Sequence, residues 1–301
     1  MPAYNASNYI QEAINSIIAQ SYTCWELIIV DDGSIDETAK IVQKNSKVDD
    51  RIKYFYQENG KQGKARNLGI SKSRGEYLAF LDADDLWLPE KLTHQIDQIQ
   101  KTNVDLVFAN SYIFNNNNVD DISKTMNTPK DIIYDKDAIQ FFLGGNRIPI
   151  LTVLAKKDKI ILAHGFSEKL SLQNAEDYHL WLKLLIDGAF FYSSKLVLAS
   201  YRIHNQSSTT NDKSANKEVL EVFIDLRDKY PQISNMLDKA IKNNFRKKYG
   251  NNLFSKRDLN DNIYLNCKYL DKKKVFIFYK ILNYTLPTQL TKRFLIHILN
   301  A

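Results

Sequence analysis

The stretch Leu27-Ile28-Ile29-Val30-Asp31-Asp32-Gly33-Ser34 sets a short, apolar, β-branched run directly against an acidic turn. A strand with one wet face alternates apolar and polar residues, so an unbroken apolar run predicts a strand buried on both faces. The arrangement recurs where Tyr77-Leu78-Ala79-Phe80-Leu81 runs into Asp82-Ala83-Asp84-Asp85. Around these two strands the apolar period changes. Ile10, Ile14, Ile17 and Ile18 follow helical spacing, with Ser7 placed to cap the N-terminus. Further helices are predicted over residues 36–45, 63–73 and 89–101, the last with Pro89 in its first turn, and further strands over 52–56 and 104–109. Strands alternating with helices predict an α/β fold, a doubly wound and mostly parallel mixed sheet. Such sheets bind ligands beyond the carboxyl ends of their strands, the edge to which both acidic clusters run.

Composition narrows the class. The chain has 301 residues, more than one compact domain commonly holds, so a catalytic domain over 1–205 and a smaller, basic, mostly helical region over 206–301 are expected. The boundary is placed in the Ser/Thr/Asn-rich stretch 206–216, and residues 115–118 are expected to form an exposed loop. No apolar run is long enough to span a bilayer, and no charged segment followed by an apolar one opens the sequence. A cytoplasmic location is the expectation. Cys24 and Cys267 have no companions at metal-ligand spacing and read as free thiols. The net charge of +6 concentrates late, as in Arg246-Lys247-Lys248 and Lys272-Lys273-Lys274. Such clusters suit an anionic membrane surface, and hence peripheral attachment to the inner face of the cell membrane, but equally a solvated face. No nucleic-acid module accompanies them, so no nucleic-acid partner is expected.

The two acidic clusters carry the chemistry. Carboxylates gathered at one sheet edge repel each other unless a cation or hydrogen-bond donors offset them. A hard divalent ion, held by one or two carboxylates and the phosphates of a substrate, meets that need. An alternative reading has Asp32, Ser34 or Asp85 capping a following helix.

Pro2-Ala3-Tyr4-Asn5, then VDDGS, GKARNLG, FLDADD, HGFSEKL with Asn174-Ala175-Glu176-Asp177-Tyr178-His179-Leu180-Trp181, and last Tyr201-Arg202-Ile203-His204 follow one another over about two thirds of the chain. In that order they resemble the family-2 glycosyltransferases of the GT-A fold. The resemblance implies an inverting transferase that takes a sugar from a nucleotide-sugar donor, a UDP-sugar first, to a hydroxyl of a carbohydrate or lipid-linked glycan, with Mn²⁺ or Mg²⁺, in bacterial surface polysaccharide synthesis. It assigns Tyr4 and Asp32 to the base and ribose, and Lys64 and Arg66 to the neighbourhood of the pyrophosphate. Asp82 and Asp84 match its metal motif, with Asp85 alongside and His204 as a third ligand or phosphate contact. Asp177 matches its general base, next to Glu176. Processive members carry a Gln-x-x-Arg-Trp segment after the acidic pair, and its absence implies one transfer per encounter. The family's first strand precedes the Pro-Ala-Tyr-Asn turn, so that strand is expected to be missing from a chain that starts with Met1: either the true start lies upstream, or the sheet has lost a central member. Two competing readings are a sugar-nucleotide nucleotidyltransferase, which would show a glycine-rich phosphate loop, and an inactive relative that binds membrane or nucleic acid.

Overall fold

The computed structural model describes residues 1–115, 123–204 and 215–249. The chain divides into two compact units, Met1–Val222 and Phe223–Ala301. Most of the stretch in which the sequence places the boundary lies outside the described residues, as do residues 116–118, Cys267 and Lys272-Lys273-Lys274.

The first unit is the expected α/β fold. Strand β2 (Leu27–Asp31), buried along its whole length, lies between β1 (Pro2–Ala3) and β3 (Ile52–Tyr56) in a parallel sheet. Helix α1 (Ile10–Ile18) buries Ile10, Ala13, Ile14 and Ile17, the stripe that its spacing predicted. Ser7 does not cap it. The helix begins after Tyr9, and the Ser7 amide instead donates to Asp36 Oδ2 at 3.0 Å. Helices α2 (Thr38–Val48) and α3 (Lys61–Lys72) complete the first layer.

A second sheet runs in the order β4 (Tyr77–Ala79), β8 (Leu154–Lys156), β6 (Leu106–Asn115), β9 (Phe191–Ile203) and β5 (Leu86–Trp87), with β7 (Ile132–Tyr134) also on β9. Parallel pairing is confined here to β6 and β9, and the remaining pairs are antiparallel. Helices α4 (Lys91–Thr102), α5 (Ile139–Phe142), α6 (Lys157–Leu162) and α7 (Glu176–Ile186) belong to this unit. Helix α8 (Ala215–Lys229) spans the division between the units, and α9 (Ser234–Tyr249) lies in the second. Among the described residues no helix is long and apolar enough to cross a membrane.

The expectation of a missing first strand needs correction, because Pro2 and Ala3 form β1, parallel to β2. The Asp32 amide donates to the Ala3 carbonyl at 2.8 Å, the Val30 amide to the Met1 carbonyl at 2.9 Å, and the Met1 ammonium to the Ile28 carbonyl at 2.9 Å. Two residues suffice to carry Tyr4 and Asn5 to the sheet edge.

Candidate active site

Two turns bring the acidic clusters together. Gly33 sits at φ +81°, and a Cβ there would come within 3.0 Å of the Asn59 amide nitrogen, so glycine lets the turn after β2 close on the loop before α3. Asp32 then turns into that loop, where Oδ1 accepts from Gln57 Nε2 at 2.6 Å and from the Gly60 amide at 2.7 Å. Ser34 Oγ accepts from the Asn5 amide at 3.0 Å, fixing the turn that carries Tyr4. Neither Asp32 nor Ser34 therefore serves as the helix cap that the alternative reading allowed.

A cavity of about 390 Å³ at this edge is lined by Tyr4, Asp32, Lys61, Arg66, Asp82, Asp84 and His204, among others. The Tyr4 ring is half exposed and free to lie against a planar group. A second cavity of about 700 Å³ holds Asp85, Glu176 and Asp177, and it shares Gln62, Arg66, Asp82 and Asn174 with the first. Nine of the ten site residues singled out in the sequence thus line one of two adjoining cavities. Lys64 is exposed and lines neither. Its place is taken by Lys61, which begins α3 at φ +69°. The helix begins two residues before the start that the sequence predicts, which brings Lys61 into it.

Arg66 is no free surface cation. Its guanidinium is buried, with Nη2 on Asp82 Oδ1 at 2.7 Å and Nη1 on Glu176 Oε1, and it lies 5.4 Å from the Phe166 ring centroid. Burial works against its charge, but Asp82 and Glu176 outweigh burial and hold its pKa above the ordinary value. Arg66 is shared between two carboxylates, so burial still prevails at Glu176 and pushes it up to about 8. The loop around Gly165 sets Phe166 beside Arg66. Gly165, at φ +63°, packs where a Cβ would strike Asn67 Oδ1, and Asn67 grips Phe166 through both its amide and its carbonyl. Lys183 Nζ holds the same loop from behind through the carbonyls of Ala163 and Gly165.

The segment after β4 is clamped by a residue to which the sequence reading gave no role. Arg202, buried near the end of β9, donates from Nε to the Asp84 carbonyl at 2.7 Å and from Nη2 to Glu12 at 2.6 Å, while its amide donates to Asp85 Oδ1 at 2.8 Å. Asp85 is thus a buried anchor, raised well above the carboxylate range by burial and by Asp84 and Asp82. The signal was a charged residue inside a strand. Only in three dimensions does it meet a segment more than a hundred positions away.

Asp82 and Asp84 keep about a third of each side chain exposed to the first cavity. Burial, and then Asp82 beside it, raise Asp84, while His204 acts in the opposite direction. His204 Nε2 lies 2.9 Å from Asp84 Oδ2, and its ring stacks on Tyr9 at 4.7 Å. No three His, Cys, Asp or Glu side chains converge as a ligand set among the described residues. Two neighbouring, partly exposed carboxylates that repel each other nevertheless fit a hard cation whose remaining ligands are phosphate oxygens and water.

Asp177 opens α7, half-buried at the wall of the larger cavity. Burial raises its carboxyl, against the pull of Arg66 and of hydrogen bonds from the Tyr178 amide and Asn146. Carboxylates at a helix start are ordinarily eased by the helix dipole, and burial outweighs that easing here.

Paired aspartates after β4 beside one cavity, and a carboxylate of raised pKa lining the adjoining one, fit a group-transfer enzyme. The family model described as glycosyl transferase family 2 matches residues 1–154. The chain is 33% identical over 223 residues to TuaG of Bacillus subtilis, named for teichuronic acid biosynthesis, covering 74% of this chain and 84% of that one. It is 34% identical over 227 residues to the Escherichia coli UDP-Glc:alpha-D-GlcNAc-diphosphoundecaprenol beta-1,3-glucosyltransferase WfgD, covering 75% and 84%. Staphylococcus aureus TarS, solved with UDP-GlcNAc, has a similar fold, with a TM-score of 0.63 and 20% identity over 89% of this chain and 76% of that one. The chain belongs to glycosyl transferase family 2, and it is a glycosyltransferase.

Proposed function

We propose that the chain moves one sugar per encounter from a nucleoside-diphosphate sugar to a hydroxyl of a carbohydrate or lipid-linked glycan, inverting the anomeric carbon, with Mn²⁺ or Mg²⁺, in bacterial surface polysaccharide synthesis. The observation that carries this reading is the pair of adjoining cavities, one with the aspartates that follow β4 and the other with Asp177, joined through Arg66 and Asp82. The names of TuaG and WfgD support the surface-polymer context, and WfgD's name supplies both a UDP-sugar donor and a lipid-linked acceptor. A mannosyltransferase of Pyrobaculum calidifontis, similar in fold with a TM-score of 0.57 at 15% identity, was solved with GDP-Man and Mn²⁺.

In this reading Tyr4 stacks on the base, and Asp32, already oriented by two donors, accepts from base or ribose. Lys61 faces the diphosphate from the start of α3. Asp84 and Asp82 would hold the cation, with His204 leaving Asp84 to join them or to meet a phosphate. A bound cation would offset the negative charge that develops on the departing nucleotide. Asp177 takes the proton from the acceptor hydroxyl as that oxygen attacks the anomeric carbon from the face opposite the leaving diphosphate. A single displacement inverts that centre.

Isothermal titration of UDP and of GDP, each in Mn²⁺ and in chelator, tests the donor side. The better nucleotide is expected to bind at least about tenfold more tightly with Mn²⁺, a difference of about 1.4 kcal/mol, and Asp84→Ala to remove that gain. Equal affinity in metal and in chelator would refute the metal-dependent reading.

A further inference from the structure

We propose that Asn146 is the positioning residue of the reaction, holding one oxygen of the Asp177 carboxylate and tying it to the loop that walls the larger cavity. The inference rests on the reading of Asp177 as the base. Its two carboxylate oxygens are held from different sides. Oδ1 accepts the Tyr178 amide at 2.6 Å, a bond within its own helix, whereas Oδ2 accepts Asn146 Nδ2 at 3.0 Å from across the cavity wall. The Asn146 amide has only one orientation that serves. Its Oδ1 accepts from the Ile148 amide at 3.2 Å, so a flipped side chain would set donor against donor there and oxygen against oxygen at Asp177.

The loop is anchored on both sides of Asn146. Before it, the Tyr178 hydroxyl donates to the Phe142 carbonyl at 2.6 Å, so the residue next to the base pins the end of α5. After it, the Pro149 carbonyl accepts from the amide and the hydroxyl of Thr152 at 2.9 and 2.7 Å. Between these anchors Gly145 takes φ +148°, and Asn146, Arg147, Ile148 and Pro149 all face the cavity. A molecule that fills the cavity beside Asp177 therefore presses on the loop that orients the carboxylate. The loop belongs to none of the motifs in the sequence, which is why Asn146 escaped notice there.

A donor to the ionised carboxylate favours its charged form, so loss of that donor raises the Asp177 midpoint. The other charges that act there are Arg66 from α3, Asp82 after β4 and Glu176 on α7, while Arg147 on the loop lines the same cavity, and all remain in the variants below. The probe is ¹³C-carboxyl NMR of aspartate-labelled full-length protein, with the Asp177 resonance assigned by its loss in Asp177→Asn. Asn146→Ala is expected to raise the midpoint by about one pH unit, the size of one lost hydrogen bond to a charged group. Asn146→Asp, near in shape but bringing a like charge, is expected to raise it further. Turnover of UDP-glucose or UDP-N-acetylglucosamine, whichever gives the faster metal-dependent UDP release, is expected to fall about 10- to 100-fold in both variants, as for a misplaced catalytic group, while donor KM stays within about twofold. The acidic limb of the kcat profile should move upward with the NMR midpoint. An unmoved midpoint in both variants would overturn the proposal, as would a donor KM that rises in step with the loss of turnover. Near wild-type turnover in Asp177→Asn would instead remove the base itself, a failure visible before any Asn146 variant is made.

Discussion

Asp177→Asn is expected to lower sugar transfer by about 10²- to 10⁴-fold while leaving donor affinity within about twofold. A neutral hydroxyl is a poor nucleophile at the moment of attack, and the substitution keeps the side chain's shape while removing its capacity to take a proton. Donor binding should be spared because Tyr4, Asp32, Lys61 and Asp84 line the other cavity, on elements that Asp177 does not touch. Folding should be spared too, because the Asp177 carboxyl already stands above its ordinary range by burial, and a neutral amide is not penalised in the same way. Calorimetric donor binding and initial transfer rates, measured on one preparation, separate the outcomes. Near wild-type transfer, or donor affinity lost in proportion to rate, would make Asp177 structural.

Arg66→Ala is expected to destabilise the fold by about 3 kcal/mol at alkaline pH, the scale on which breaking a buried ion pair is measured, and by less at pH 6. The guanidinium joins α3 to Asp82 after β4 and to Glu176 at the start of α7, so its removal strands two carboxylates, of which Glu176 is the more deeply buried. The pH dependence follows from Glu176. Its folded-state pKa of about 8 stands above the unfolded value near 4.5, so ionisation in the fold costs stability as pH rises through that interval. Without Arg66 the folded-state value climbs further, and the cost continues to grow above pH 8 in the variant after it has levelled off in the wild type. Below pH 8 Glu176 is largely protonated in both, which shrinks the difference; Asp82, a third exposed, adds only a screened share. Chemical denaturation of both proteins at pH 6 and pH 9 checks this. A loss that is equal at the two pH values, or larger at pH 6, would mean that Glu176 does not govern the pH dependence.

Both predictions rest on contacts that join distant segments, and here legibility in the sequence differed from element to element. The five buried residues of β2 and the stripe on α1 were readable because period and polarity are local properties. The antiparallel arrangement around β8 and β5 was not. Those strands span three and two residues, too short to carry a period of their own, and they are held by pairing with β4, β6 and β9. Arg66 read as a loop cation facing pyrophosphate, because a helix start exposes its side chains unless something covers them. Phe166 and Glu176, about a hundred residues later, are what cover it.

The sequence by itself determined the α/β class, the edge at which the acidic clusters gather and the family, because each depends on residue type at short spacing. Only the tertiary structure decided what those residues face. It turned Asp85 into an anchor for Arg202, set Lys61 rather than Lys64 on the first cavity, paired Pro2 and Ala3 with β2 as β1 and set Asn146 on the Asp177 carboxylate. The physical reason is that hydrogen bonding and burial depend on distances between segments far apart along the chain, and the composition of neither segment fixes those distances.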